Sequence, residues 1–131
     1  LIEEALRQGS LPRRIAQVPD GVAALERLHD PDAPRPDLIL LDLNMPRMNG
    51  FECLQEIRKS ERLKPIPVVI FSTTSQTQAI DKVYEQGADY YIRKPNTFAM
   101  LKEVIERMLE IDWAAHHEQP AKENFLLNKN G

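Results

Sequence analysis

The 131-residue chain contains a single cysteine, Cys53, so it cannot form a disulfide within itself. A lone thiol is typical of proteins in a reducing cytoplasm, which is where we expect this chain to act. A catalytic thiol is one interpretation, but a small buried residue on a helix is the more common role of a lone cysteine. The cysteine content therefore argues against a disulfide-stapled secreted domain.

Charge and hydropathy exclude further classes of protein. The net charge is −3 and the pI about 5.6, so there is no basic excess of the kind that binds nucleic acid. No apolar run approaches the ~20 residues of a membrane span, and no signal-peptide pattern is visible. Repeats and low-complexity tracts are also absent from the sequence. We therefore expect one domain that binds neither nucleic acid nor a membrane.

Short apolar strands alternate with amphipathic helices along the chain. The strand candidates are residues 14–18, 38–43, 68–71 and 89–93. Apolar residues at helical spacing follow them from Val22, Phe51, Ile80 and Phe98, the last helix capped by Asn96 or Thr97, and an earlier helical pattern opens the chain at Leu1. This alternation predicts a parallel sheet with helices on both faces. Ligands of such doubly wound sheets bind beyond the carboxyl ends of the strands.

Three polar side chains end or directly follow these strands, namely Asp42, Ser72 and Lys94. A lone aspartate at a strand end is more often a turn former or a helix cap, but the three ends should meet at one edge of the sheet. A carboxylate there is a candidate nucleophile. An ammonium would balance the charge of a transferring phosphoryl group, and a hydroxyl would donate to one of its oxygens. The pattern therefore indicates phosphoryl transfer.

The residues around Asp42 resemble those of a known family. Asp42-Leu43-Asn44-Met45-Pro46, followed by Asn49-Gly50, is similar to the phosphoacceptor segment of response-regulator receiver domains. Pro67–Thr73, Gly87–Tyr91 and Lys94-Pro95 resemble the family's later segments at its spacings. Taken together, these motifs are specific to receivers.

The resemblance extends to about Trp113 and implies a flavodoxin-like five-stranded parallel sheet of order 2-1-3-4-5. It implies a stand-alone receiver of a two-component system, with residues 1–113 as the receiver domain. Residues 114–131 would be a C-terminal tail, too short for an output domain, since independent folds need about 40 residues. The apolar residues Phe125–Leu127 of this tail either dock on the domain or on a partner, or belong to a floppy end.

The resemblance also implies roles for individual residues. Asp42 would accept a phosphoryl group from a histidine kinase and so act as a regulatory phosphoacceptor rather than an enzyme. Lys94 and Ser72 would contact the phosphoryl oxygens, with Thr73 beside them. Asp42 and the backbone carbonyl of Asn44 would bind Mg²⁺. A downstream protein would be the second partner, and homodimers are common in the family.

Other residues match family positions that act in switching. Ser72 and Tyr91 would form the switch, the aromatic ring turning inward when the hydroxyl moves toward the phosphoryl group. Asn44 and Thr74 fall where side chains tune the phosphoryl lifetime. The Lys94–Pro95 bond matches one that is usually cis in the family, although only about 5% of such bonds are cis in folded proteins.

The resemblance leaves the family's first strand, and the acidic metal-binding pair after it, without a counterpart. In a 2-1-3-4-5 sheet that strand is central, and losing it would leave rows of unpaired backbone groups at ~1–3 kcal/mol each. We therefore expect roughly 10–15 residues, with two acidic ones, to precede Leu1. A strand swapped in from a neighbouring chain is the less favoured alternative. Without the acidic pair, metal binding and phosphorylation should be weak.

Two other functions remain open from the sequence. One is a degenerate receiver that serves as a phosphorylation-independent interaction scaffold. The other is a small flavin-binding electron carrier on the same doubly wound topology, which would need a phosphate-cradling loop after its first strand.

Overall fold

The computed structural model describes residues 15–18, 25–26, 28, 30, 32, 36–43, 49–111, 113 and 119–128. Its strands are β1 (Ile15–Val18), β2 (Leu38–Leu41), β3 (Val68–Ser72) and β4 (Tyr90–Arg93), all parallel. Its helices include α1 (Gly50–Lys59), α2 (Thr77–Glu85) and α3 (Phe98–Glu110), and a 3-10 turn covers Lys122–Asn124. The predicted doubly wound α/β class is confirmed. The helical pattern at Leu1 lies outside the described residues.

The apolar character of β2 follows from burial on both faces of the sheet. All four of its residues are buried. Because successive side chains of a strand point to opposite faces, Leu38 and Leu40 pack into the cluster that contains α3. Ile39 and Leu41 pack into the cluster that contains α1 and α2. Asp42 directly follows this run, so the burial of β2 fixes the position of its carboxyl end.

The order of the described strands is β1-β2-β3-β4, which is a 2-1-3-4-5 sheet without its first strand. The rows of unpaired groups expected from that gap are not observed between the described strands. Instead β1 pairs directly with β2, from Ile15 opposite Leu38 to Val18 opposite Leu41. Direct pairing satisfies the backbone N–H and C=O groups that the two strands present to each other. The described sheet therefore has four strands, which are the strands expected of the 2-1-3-4-5 sheet once its first strand is left out.

Side-chain caps explain where α1 and α3 begin. The side chain of Asn49 caps α1 by accepting from the backbone N–H of Glu52 at 3.0 Å. Thr97, one of the two predicted candidates, caps α3 by accepting from the backbone N–H of Met100 at 3.2 Å. No helix within the described ranges is long and apolar enough to cross a membrane.

The C-terminal segment docks on the domain beside β4. Leu126 forms an isolated parallel bridge with Tyr91, and Phe125 is 1% exposed. Of the alternatives that the sequence leaves open for Phe125–Leu127, the structure shows docking on the body of the chain.

Candidate functional site

The three predicted side chains lie at one edge of the sheet. Asp42 directly follows β2, Ser72 is the last residue of β3, and Lys94 directly follows β4. The register places Ser72 opposite Arg93. The backbone N–H of Lys94 donates to the carbonyl of Ser72 at 2.9 Å. Strand topology therefore positions the residues as the sequence predicts.

The carboxylate of Asp42 and the ammonium of Lys94 are in direct contact. Lys94 Nζ donates to Asp42 Oδ2 at 2.6 Å, the short distance of a charge-assisted hydrogen bond. The Lys94 side chain is 32% exposed and the Asp42 side chain 27%, so a small anion can reach both. Lys94 Nζ also lies 5.2 Å from the centre of the Phe71 ring, a cation–π contact that further constrains the ammonium.

A close backbone approach holds the segment that carries Asp42. The backbone N–H of Gly50 donates to the carbonyl of Leu43 at 3.0 Å. A Cβ at Gly50 would lie 2.6 Å from the carbonyl oxygen of Asp42 and 2.6 Å from Cα of Leu43. Only glycine permits this contact. The sequence showed Asn49-Gly50 only as part of a family motif and did not reveal this close approach of Gly50 to Asp42.

The hydroxyl side of the site is formed by Ser72, Thr74 and Tyr91. Ser72 is buried, and its Oγ accepts from the backbone N–H of Thr74 at 3.1 Å. The phenol of Tyr91 donates to the carbonyl of Thr74 at 2.8 Å. Tyr91 is fully buried and thus lies turned inward, next to the stretch that follows β3.

Burial is the main influence on the titration of Tyr91. It raises the pKa of the phenol, whereas a hydrogen bond with Ser72 and the charge of Arg93 lower that pKa. The charge of Asp42 raises it further. The phenol therefore stays protonated and acts as a donor at neutral pH, and its titration already responds to charge at Asp42.

The remaining predicted residues have different outcomes. Thr73 is exposed on the loop after β3, beside Ser72. Asn44 lies outside the described residues. The prediction of a cis Lys94–Pro95 bond is wrong, since there is no cis peptide in the described part of the chain. The trans isomer is the lower-energy form even before proline, and Lys94 reaches Asp42 without the cis isomer.

The described residues supply part of a metal site. The Asp42 carboxylate is an oxygen ligand of the type that Mg²⁺ prefers. Across the described ranges there is no group of three or more His, Cys, Asp and Glu side chains that could hold a metal. Asp42 alone is too few ligands for the near-octahedral geometry of Mg²⁺, so a complete site needs oxygens from outside these ranges or from water.

This arrangement defines a class of protein. The carboxylate of Asp42 and the ammonium of Lys94 are in contact beyond the strand ends of a doubly wound α/β sheet, and Ser72 lies at the same edge. A family model described as the response regulator receiver domain matches residues 1–106. The chain therefore belongs to the response-regulator receiver family and is a receiver of two-component signalling.

Similar curated proteins are response regulators of varied organisms. The probable methanogenesis regulatory protein FilR2 of Methanothrix harundinacea is 35% identical over 123 residues, covering 92% of this chain and 79% of FilR2. Response regulator Rcp1 of Synechocystis is 33% identical over 110 residues, covering 81% of this chain and 75% of Rcp1. The chain thus spans most of the length of both relatives.

Solved receiver structures share the fold. The phosphorylated cyanobacterial phytochrome response regulator RcpA has a TM-score of 0.77 and 35% identity, with 92% of this chain and 88% of RcpA covered. The Mn²⁺-bound form of Rcp1 has a TM-score of 0.75 and 31% identity at the same coverages. Receiver domains are regulatory phosphoacceptors that bind a divalent metal and interact with histidine kinases and downstream targets. These findings favour the receiver over the flavin-binding electron carrier.

Proposed function

We propose that Asp42 is the phosphoacceptor and that a sensor histidine kinase donates the phosphoryl group from a phosphohistidine. A carboxylate oxygen of Asp42 would form the new bond to phosphorus as the bond from phosphorus to the imidazole nitrogen breaks. The imidazole takes up a proton as it leaves. The observation that supports the proposal is the 2.6 Å contact between Lys94 Nζ and Asp42 Oδ2, because a positive charge beside this carboxylate would attract a phosphoryl group.

Two further side chains have roles in this proposal. Lys94 would offset the negative charge of the phosphoryl oxygens. Ser72 Oγ is linked to the Tyr91 phenol through the backbone of Thr74, and its hydroxyl would donate to a phosphoryl oxygen once the group is in place. The exposed Thr73 would flank the same group. Phosphorylation would then shift the population toward the inward position that Tyr91 has in the structure, and so change the surface formed by α2, β4 and α3.

We propose Mg²⁺ as the metal, with the Asp42 carboxylate and the backbone carbonyl of Asn44 as two of its ligands. When bound, the ion would supply positive charge to the phosphoryl group, as metals do in other phosphoryl transfers. The side chains of Asn44 and Thr74 would tune how long the phosphoryl group persists.

The partners in this proposal are proteins. The kinase would act in the cytoplasm, and the altered surface around β4 would bind a downstream protein or a second copy of the chain. Residues 1–113 would form the receiver domain itself.

The experiment is phosphorylation by acetyl phosphate, read out by intact mass. The native chain with Mg²⁺ should gain the mass of one phosphoryl group, and EDTA should suppress the gain. Asp42→Asn should not gain mass, whereas the matched control Asp37→Asn, at an exposed aspartate before β2, should. An unchanged mass of the native chain would refute the proposal and favour the phosphorylation-independent scaffold.

A further inference from the structure

Residues 119–128, which we term the C-terminal strap, run beside the edge of β4. The backbone N–H of Tyr91 donates to the carbonyl of Phe125 at 3.0 Å, and the backbone N–H of Leu127 donates to the carbonyl of Tyr91 at 2.9 Å. The strap therefore satisfies both backbone groups of Tyr91 that face the edge of the sheet. An edge left open would be a template for pairing with another chain.

An aromatic side chain anchors the middle of the strap. The ring of Phe125 is 1% exposed and packs edge-on to Tyr84, with ring centroids 5.0 Å apart. Its centroid lies 6.2 Å from that of Tyr91. The phenol of Tyr84 donates to the carbonyl of Pro120 at 2.8 Å. Burying one large aromatic ring contributes roughly 1.5–3 kcal/mol, so the strap is held by more than its backbone bonds.

Polar side chains fix both ends of the strap. At one end the Gln119 amide donates to the carbonyls of Tyr84 and Ala88, both at 2.6 Å. At the other end the buried Asn128 side chain accepts from the backbone N–H of Arg93 at 3.0 Å and donates to its carbonyl at 2.7 Å. Arg93 directly precedes Lys94, so the strap ends one residue from the candidate site.

A continuous set of hydrogen bonds joins the strap to Ser72 through Tyr91. The phenol of Tyr91 is bonded to the Thr74 carbonyl, and the backbone N–H of Thr74 is bonded to Ser72 Oγ. The backbone of the same tyrosine is bonded to the strap. One residue therefore contacts both the hydroxyl side of the site and the C-terminal segment.

We propose that the C-terminal strap is an intramolecular ligand of the β4 edge, and that strap docking and phosphorylation of Asp42 stabilise each other through Tyr91. The inference rests on the proposed function of Asp42. A phosphoryl oxygen bound by the Ser72 hydroxyl would order the Ser72–Thr74 stretch, to which the Tyr91 phenol is bonded. Release of the strap would remove Phe125 from beside the Tyr91 ring and weaken its inward position. Such coupling between two sites is reciprocal.

The docked strap covers the edge of β4, where a partner could otherwise pair. A partner that pairs with the edge of β4 must first displace the strap, so docking competes with that mode of binding. The strap would thus be docked most stably in the phosphorylated chain. A partner recruited by phosphorylation would therefore bind to parts of the surface that the strap does not cover.

Hydrogen exchange of the full chain tests the coupling. Exchange of the peptide that covers residues 119–128 is measured with and without acetyl phosphate and Mg²⁺, and intact mass is recorded on the same samples. We expect phosphorylation to slow strap exchange roughly fivefold or more, the lower end of typical coupling strengths. If the chain gains the mass of a phosphoryl group but strap exchange is not slower, the coupling is refuted and the proposed function of Asp42 stands. Absence of a mass gain would refute the proposed function and the coupling with it.

Strap variants test the reciprocal effect. Phe125→Ala should speed strap exchange and reduce the phosphorylated fraction at a fixed acetyl phosphate concentration, whereas Glu123→Gln, an exposed strap residue, should do neither. Asn128→Ala is the substitute if Phe125→Ala fails to fold, because it removes the two bonds to Arg93 and leaves the Phe125 ring in the core. It too should speed strap exchange and reduce the phosphorylated fraction. A normal phosphorylated fraction in a folded variant with a released strap would contradict the coupling. Strap protection that rises with protein concentration would contradict docking within one chain.

Discussion

Lys94 Nζ lies 2.6 Å from Asp42 Oδ2 although 52 positions separate the two residues in the chain. Both side chains are about one-third exposed, and ion pairs open to solvent contribute little to folding stability. The contact is therefore better explained by what it offers an incoming anion than by stabilisation of the fold. If Asp42 is the phosphoacceptor that we propose, its carboxylate and a positive charge are already in contact before a phosphoryl group arrives.

Replacement of Lys94 by alanine should separate chemistry from folding. Because the pair adds little stability, thermal unfolding of Lys94→Ala should resemble that of the native chain. The initial rate of phosphorylation by acetyl phosphate should fall on the order of 100-fold, the typical cost of losing one preorganised electrostatic contact. Lys64→Ala, at an exposed lysine on the loop after α1, is the control and should keep the native rate. An unimpaired rate in Lys94→Ala would show that the ammonium has no role.

Replacement of Gly50 by alanine should displace the segment that carries Asp42. The added Cβ would clash with backbone atoms of Asp42 and Leu43, and such overpacking costs about 1–3 kcal/mol. Gly50→Ala should therefore lower both the unfolding free energy, measured in urea, and the phosphorylation rate.

Gly87→Ala is a matched control for this clash. Gly87 has a φ of +98° at the end of α2, where its nearest neighbour is the side chain of Arg58. Alanine there should cost roughly 1–2 kcal/mol of stability, while the folded protein phosphorylates at the native rate. If both variants lose stability and neither loses rate, the approach of Gly50 does not position Asp42.

Removal of the Tyr91 hydroxyl should weaken communication between the site and the C-terminal strap. Tyr91→Phe keeps the ring beside Phe125 but deletes the bond to the Thr74 carbonyl, at a cost of about 1 kcal/mol. We expect the difference in strap exchange between the phosphorylated and unphosphorylated chains to shrink. Hydrogen exchange measures this, and Tyr90→Phe serves as control because the Tyr90 ring packs on Trp113 instead. If this difference in strap exchange is as large in Tyr91→Phe as in the native chain, the coupling does not run through the Tyr91 hydroxyl.

The buried thiol of Cys53 predicts a specific pH dependence of stability. Burial, reinforced by the charge of Glu56, raises the pKa of this thiol from 9.0 to about 11. The folded chain then holds the proton more tightly than the unfolded chain, so the stabilisation is complete below about pH 9 and is lost as the pH rises toward 11. Between pH 8 and pH 10, the free energy of unfolding measured in urea should fall by about 1 kcal/mol more in the native chain than in Cys53→Ala. Equal losses would contradict the raised pKa.

The strand-end residues were predictable because their position follows from topology alone. Once Leu38–Leu41 is recognised as a buried parallel strand, Asp42 must emerge at the edge where Ser72 and Lys94 also end. The capping role of Thr97 was predictable for a similar reason, since a side-chain oxygen at a helix start bonds to nearby backbone.

Features that depend on distant contacts were not predictable in the same way. The approach of Gly50 to Asp42, the direct pairing of β1 with β2 and the trans bond before Pro95 each depend on how separate elements meet in space. For the C-terminal strap the sequence offered one signal, the apolar residues Phe125–Leu127 in a polar tail. That signal shows that something is buried but does not identify the edge of β4 as its site.

The central claim is that Asp42 is the residue that carries the phosphoryl group. The most direct measurement is reduction of the acetyl-phosphate-treated chain with borohydride, which converts an aspartyl phosphate to homoserine, followed by peptide mass spectrometry. The account predicts a single homoserine at position 42, dependent on prior phosphorylation and lost in the presence of EDTA. Homoserine at another aspartate, or a phosphoryl group retained on a hydroxyl or imidazole, would contradict it.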